Sequence, residues 1–330
     1  MSSTPSYPPA DPNGKNIGFV IPGSLTGHHV DKSGRLWHTK DCIQSIRSHF
    51  KNALIVISTF NGEDTSGLDA DHVIFNEDPG LVHNSTNVTR NLLRQLVCAQ
   101  RGLQYAADKV DYSVKFRGDF LLTGTGFLEA HRRYDQQPSK HLVFSSPVVG
   151  LNYYTNHPLR GDYLFAWSDL IHFGRSADVL TIWGADPPPV AEILTVPGET
   201  PSYRTSMEFL TEQYFWVSAL ERFCDLTAMK HYESSGKDLR LLHDRLLASN
   251  FVPMELEDFG VHWISRAHRM KIAWSRVYSH REWIRHRKRQ LSGRWTIPDV
   301  ETVSKYFAIA PNILARKLRK TISGAAVSAK

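Results

Sequence analysis

The sequence predicts an α/β fold, a mostly parallel sheet with helices on both faces, followed by a basic, helix-rich C-terminal region. Two patterns carry the first part of that prediction. Through residue 120, short β-branched apolar runs alternate with segments of helical period, as strands and crossover helices do in a sheet covered on both sides. Charged and turn-forming residues then collect where those strands end, the edge at which ligands bind in such sheets. The third observation is charge. Between Arg266 and Arg289 stand nine Arg or Lys and three His against a single acid, Glu282, while the first three-quarters of the chain is close to balanced.

Taken in order, the apolar run at 17–21 stops at Pro22-Gly23 and reads as a buried parallel strand. Residues 39–50 place Cys42, Ile43 and Ile46 on one helical face, and residues 53–58 form a second buried strand. A short third strand follows at 71–75, then a long helix at 86–107, then a fourth strand at 112–116. Residues 142–144 and 163–167 read as further strands of the same sheet. The prolines at 187–189 and the turn-rich stretch 197–206 predict a loop or lid, and residues 207–223 a helix. Beyond residue 250 the pattern is one of helices and connections. The expected organisation is a frayed segment at 1–14, a catalytic domain at 15–250 with a nucleotide-binding half (15–125) and an acceptor half (126–250), a basic helical cap at 251–322, and a flexible tail at 323–330.

Composition narrows the class. With 330 residues, 41% of them hydrophobic, the chain can bury a substantial core. No run approaches the ~20 apolar residues that span a bilayer, and the Ser/Pro-rich start has neither a basic n-region nor an apolar core. Cys42, Cys98 and Cys224 are widely spaced among apolar residues, as reduced thiols are. These features predict a cytoplasmic protein, and the net charge of +6 predicts anionic partners.

The segment Lys115-Phe116-Arg117-Gly118-Asp119 carries the densest chemistry. A strand delivers Arg117 and Asp119 to a turn, where a carboxylate can hold Mg²⁺ or Mn²⁺ against a diphosphate leaving group and an arginine can neutralise phosphate. The same triplet also reads as a turn with a local ion pair. On the expected long helix, Asn87, Arg90, Arg94 and Arg101 share a narrow sector, with Asn87 and Arg90 in the first turns, where free amides favour an anion; a solvated helix face fits that pattern too. The turn before it supplies Asn76, Glu77 and Asp78 as partners for a base or ribose, and Pro22 and Gly23 end the first strand among the same donor-binding candidates. Asp169 and Glu212 are carboxylates suited to take a proton from an acceptor hydroxyl. His262 is a candidate metal ligand beside Asp119, although a lone His next to a Trp also reads as packed and hydrogen-bonded.

Taken together, these segments resemble the WavE lipopolysaccharide synthesis family, glycosyltransferases with a GT-A-like nucleotide-binding fold. The resemblance spans most of residues 15–275. It rests on Asn76-Glu77-Asp78-Pro79-Gly80, Asn87 and Arg90, Lys115 to Asp119, Ser168-Asp169 with His172-Phe173-Gly174-Arg175, and Glu212-Gln213-Tyr214. It implies transfer of a sugar from a nucleotide-sugar donor, bound over the first half of the sheet, to a surface glycan of lipopolysaccharide or capsule placed by the second half. Arg117-Gly118-Asp119 occupies the position of the metal-binding Asp-x-Asp, with Arg replacing the first acid. Asp119 then holds the metal alone, or Arg117 supplies part of its charge.

The basic segment raises two further readings. One is docking of the enzyme on the anionic inner face of the membrane, where a lipid-linked acceptor is presented. The other is a non-catalytic protein whose basic region and interleaved Trp274, Tyr278, Trp283 and Trp295 bind nucleic acid or an anionic membrane surface. Met270, Trp274, Val277 and Tyr278 share a helical face, which favours packing on the enzyme body and makes nucleic acid the weaker partner. A dinucleotide-binding dehydrogenase is excluded, because no G-x-G-x-x-G stands at any strand-to-helix turn.

Overall fold

The computed structural model describes residues 8–25, 29–30, 33–83, 89–135, 139–158, 160, 163–188, 190–194, 202–205, 209–264, 275–293 and 297–311. Seven strands form its central sheet: Ile17–Pro22, Leu54–Phe60, His72–Asn76, Tyr112–Lys115, Val148–Leu151, His172–Arg175 and Phe251–Met254. Counted in that sequence they lie side by side as 3-2-1-4-6-5-7. Only the sixth runs against its neighbours. The fold is the GT-A-like α/β arrangement that the resemblance implied.

Alternation along the first strand explains the layers. Phe19 points to one face, where its ring meets Phe50 and Phe116 at centroid distances of 5.4 and 5.9 Å; Phe50 directly follows the helix Thr39–His49. Its neighbour Val20 points to the other face, under the helix Leu92–Ala107. Gly102 lets that helix approach closely: a Cβ there would lie 2.4 Å from Val20 Cγ1. Beside the main sheet, Val190–Leu194, Ser202–Thr205, Leu81–His83 and Thr89–Arg90 make a small four-stranded sheet, and Phe120–Leu122 pairs with Val261–Trp263.

Several expected elements are corrected. The long helix starts at Leu92, not at residue 86, because Thr89–Arg90 pairs with Leu81–His83. Residues 142–144 are not a strand: the amides of Val143 and Phe144 bond the Asn250 side chain. Nor are residues 163–167, which lie in the core as irregular chain with Phe165 at φ 57° and its amide bonded to His243. Their apolar character reports burial alone. The strands of this half are Val148–Leu151 and His172–Arg175. The helix expected at 207–223 is Thr211–Leu220, and Ser202–Thr205, inside the expected lid, is a strand.

The region past residue 250 also differs. Phe251–Met254 is an edge strand of the central sheet, parallel to Val148–Leu151, so a boundary between 250 and 251 would strip the sheet of its own edge. Pro253 suits that place, since an edge strand leaves one side free of ladder bonds. Helices His280–Ser292 and 300–311 complete the described chain.

Candidate active site

A cleft of about 660 Å³ opens at the carboxyl edge of the sheet. Three parallel strands build it with their ends: Pro22 to Leu25 from the first, Phe60 to Glu63 from the second, and Lys115 to Asp119 from the fourth. Asp78, Asn91, Arg94 and Gln95 close the far wall. The N-terminus of Leu92–Ala107 therefore faces the cleft; its cap residue Asn91 makes no side-chain cap bond, which leaves first-turn amides for an anion. Gln95 adds a buried Oε1 without a partner among the described residues. Gly23 turns the chain away from the first strand at φ 110°, a conformation that side chains rarely adopt.

Two arginine–aspartate forks line this space. Arg94 donates from Nε to Asp78 Oδ1 at 2.8 Å and from Nη2 to Oδ2, and that guanidinium holds the Asp78 carboxyl below the usual range. Arg117 donates from Nε to Asp119 Oδ1 at 2.9 Å and from Nη2 to Oδ2 at 3.0 Å. Asp119 is also an acceptor for the Trp263 indole N–H at 2.9 Å. Trp263 is fixed in turn by Phe120, stacked at 5.0 Å, and Tyr153, edge-on at 4.9 Å. The fork on Asp119 is thus nearly buried and held from behind by an aromatic stack, while Arg117 retains a nitrogen, Nη1, that makes no protein hydrogen bond among the described residues.

Lys115 stands two residues ahead of Arg117 and is 2% exposed. Its Nζ donates to the carbonyls of Asp169 and Leu170 at 2.6 and 3.2 Å and lies 4.2 Å from the centre of the Trp183 ring. Burial pulls its ammonium down to about 7, against the opposing charge of Asp169. Topology explains why Asp169 is here. His172 lies opposite Lys115 in an antiparallel pair, so the start of the sixth strand meets the carboxyl end of the fourth, and Asp169 just ahead of it reaches the same edge. Its side chain is 6% exposed and takes no hydrogen bond or ion pair within the described residues, yet its charge acts on both Lys115 and Arg117. His172 is a structural member. Its Nε2 bonds the Ser168 carbonyl at 2.7 Å and its Nδ1 accepts the Trp183 N–H at 3.0 Å, and burial lowers it to about 3, hence neutral.

Of the expected site residues, Pro22, Gly23, Asp78, Arg94, Arg117 and Asp119 line one cleft, with Asp169 next to it. Asn76 does not. It is 1% exposed, and its amide clasps Ser58 Oγ and the Thr59 carbonyl, tying the second and third strands together. Glu77 is turned outward onto Asn61. Glu212 lies in the first turn of Thr211–Leu220, outside the cleft lining; that helix packs on the helix Ser176–Trp183 through Phe215 against Trp183, at 4.3 Å. Asn87 lies outside the described residues, as does the side chain of Arg90. Lys115, named before only as the start of its segment and given no role, joins the site, as do Glu63, Ser24 and Trp263, which were not expected there. The signal for Lys115 was a lysine inside an otherwise apolar strand; Glu63, which accepts the Ser24 hydroxyl and the Leu25 amide at 3.2 Å, had none.

A divalent cation does not fit this donor set. His262 alternates with buried Val261 and Trp263 and is exposed on the opposite face of its strand, so it cannot join Asp119. Among the described residues, no three His, Cys, Asp or Glu are grouped as ligands. The carboxylate of Asp119 has about four acceptor positions, and three are filled by Arg117 and Trp263.

The basic C-terminal helix spends part of its charge on internal contacts. Arg285 forks onto Asp299 at 2.7 and 3.0 Å. Arg287, 3% exposed, donates to the Ala248 carbonyl. Glu282 is buried between Arg160, at 2.7 and 2.9 Å, and Lys305, at 2.9 Å. Arg285 and Arg287 are therefore engaged within the fold. Arg281, Lys288 and Arg289 remain exposed on this helix; residues 265–274 lie outside those described. Among the described residues, no helix is long and apolar enough to cross a membrane.

Together the sheet order and the cleft at its carboxyl edge define a GT-A-like α/β protein. The profile of the WavE lipopolysaccharide synthesis family matches residues 17–322. The chain belongs to that family, which places it in lipopolysaccharide synthesis. No curated protein matches it.

Proposed function

We propose that the chain is a glycosyltransferase that seats a nucleotide-activated sugar in the cleft and transfers the sugar to a surface glycan, lipid-linked or free, on the cytoplasmic side of the membrane. The observation that carries this reading is the cleft itself, where the helix N-terminus at Asn91 and the Arg117 fork converge beyond the carboxyl ends of the parallel strands. Helix amides and a guanidinium suit the phosphates; the polar wall at Ser24, Asn61 and Glu63 suits ribose or base hydroxyls. In transfer, the acceptor oxygen bonds to the anomeric carbon, the bond from that carbon to the phosphate oxygen breaks, and its electron pair leaves on the phosphate. Asp169 takes the acceptor proton, a role open to a carboxylate that takes no hydrogen bond or ion pair within the described residues.

Incubation with a panel of nucleotide sugars and an acceptor glycan, with release of free nucleotide as the readout, tests the reading. Asp169→Asn should retain the fold and lower transfer by roughly 10²- to 10⁴-fold, the span of general-base contributions. Unchanged turnover would remove Asp169 from the chemistry.

A further inference from the structure

The cleft holds its own counter-charge, and we infer that Arg117, locked onto Asp119, which Trp263 holds in turn, replaces the divalent cation as the group that meets the donor's phosphates. This rests on the glycosyltransferase reading and adds to it a metal-independent mode of donor binding.

The inference comes from how the oxygens of Asp119 are used. A cation ligand must present lone pairs to the ion, with several further oxygens around it. Asp119 instead spends them on Arg117 Nε, Arg117 Nη2 and Trp263 Nε1. Any ion that reached this carboxylate would sit against a guanidinium that repels it. The side chain of Asp119 is 5% exposed, while that of Arg117 is 26% exposed. The pair thus offers the arginine to the cleft. The fork fixes the plane of the guanidinium, so Nη1 is aimed before any ligand arrives and little side-chain entropy is lost on binding. The aromatic stack of Phe120, Trp263 and Tyr153 behind Asp119 keeps the carboxylate from swinging out to meet an ion.

Arg117 then acts where charge develops. As the bond from the anomeric carbon to the phosphate oxygen breaks, that oxygen gains the electron pair, and a preset guanidinium needs no rearrangement to stabilise it. Asp119 serves as a positioning residue for Arg117. Phosphate geometry favours this arrangement, because a guanidinium makes directed paired bonds that a lysine cannot reproduce.

The test is titration calorimetry of the wild-type chain with UDP, GDP, ADP and CMP, each in EDTA and again with Mn²⁺. The expected result is that one nucleotide binds with a Kd that agrees within about twofold between the two conditions, since a ligand's effect depends only on its own differential affinity. Arg117→Lys should weaken that nucleotide about tenfold in both, through loss of a charge-assisted fork. Binding that appears only with Mn²⁺ would overturn the inference and leave the glycosyltransferase reading standing. Failure of all four to bind in either condition would overturn both. The comparison in EDTA and Mn²⁺ uses unaltered protein, so it does not depend on the variant folding.

Discussion

At the carboxyl edge of the sheet, Arg117 clasps Asp119 with two nitrogens and keeps a third for the cleft, whereas beneath the C-terminal helix Arg160 and Lys305 are enclosed with Glu282. The two regions contain similar groups at similar distances: 2.9 and 3.0 Å in the first, 2.7 to 2.9 Å in the second. They differ in their surroundings. The first opens on a cleft; the side chains of the second are 0%, 1% and 5% exposed. Charge density along the sequence pointed to the C-terminal region, but an arginine-rich helix that faces acids from its own fold is a structural clasp.

Removing the acid in the buried clasp should have the largest effect on stability. Glu282→Gln leaves Arg160 and Lys305 without their shared partner, and breaking a buried pair in this way costs about 3–5 kcal/mol. Urea unfolding would show it, with nucleotide affinity unaffected; a loss below about 1 kcal/mol would mean that water reaches the clasp.

A smaller effect is expected from pH. His131, His172 and His243 are each lowered to about 3 by burial, while an unfolded histidine titrates near 6.5. Below that value the unfolded chain takes up protons that the native state refuses, so stability is full above about pH 6.5 and falls as pH drops toward 3. Each histidine should cost about 1.4 kcal/mol by pH 5.5, less per residue than the loss of Glu282. Urea midpoints that stay constant from pH 8 to 5 would contradict this.

The least effect is expected at the surface. Reversal of the exposed Arg281 and Lys288 to Glu should change stability by no more than about 0.5 kcal/mol, in contrast to the same change at Arg285 or Arg287. If these two residues also dock the chain on anionic lipid, low-salt liposome binding will be lost in the variant. Binding that persists would place the contact elsewhere.

Much of the first half was legible because local pattern and tertiary role agree there. Ile17–Pro22 and the first four residues of Leu54–Phe60 are apolar, as strands buried on both faces must be, and the ends of the first and fourth strands named the cleft residues Pro22, Gly23, Arg117 and Asp119. The second half was less legible. Tyr163 to Trp167 has the composition of a strand, yet it packs as coil because His243 and Thr155 satisfy its backbone and that of Ser168, contacts set by residues far off in the sequence. Asn76 has the chemistry of a ligand-binding residue, and only its burial against Ser58 and Thr59 shows that it ties strands together. The reading of Arg117 and Asp119 as a local ion pair was the geometrically right one, and the pair borders a cleft. Trp263 was within reach of the pattern: in Val261-His262-Trp263, alternation sends the tryptophan inward and the histidine out.

The central claim is that the cleft at Asp119 turns over a nucleotide-activated sugar. Release of free nucleotide from a panel of donors, measured side by side for the wild type and Asp119→Asn, tests it most directly. The account predicts release from one donor class by the wild type and at least about a 100-fold fall in the variant, because Arg117 loses the partner that aims it. Equal release by the two proteins, or none from any donor, would contradict it.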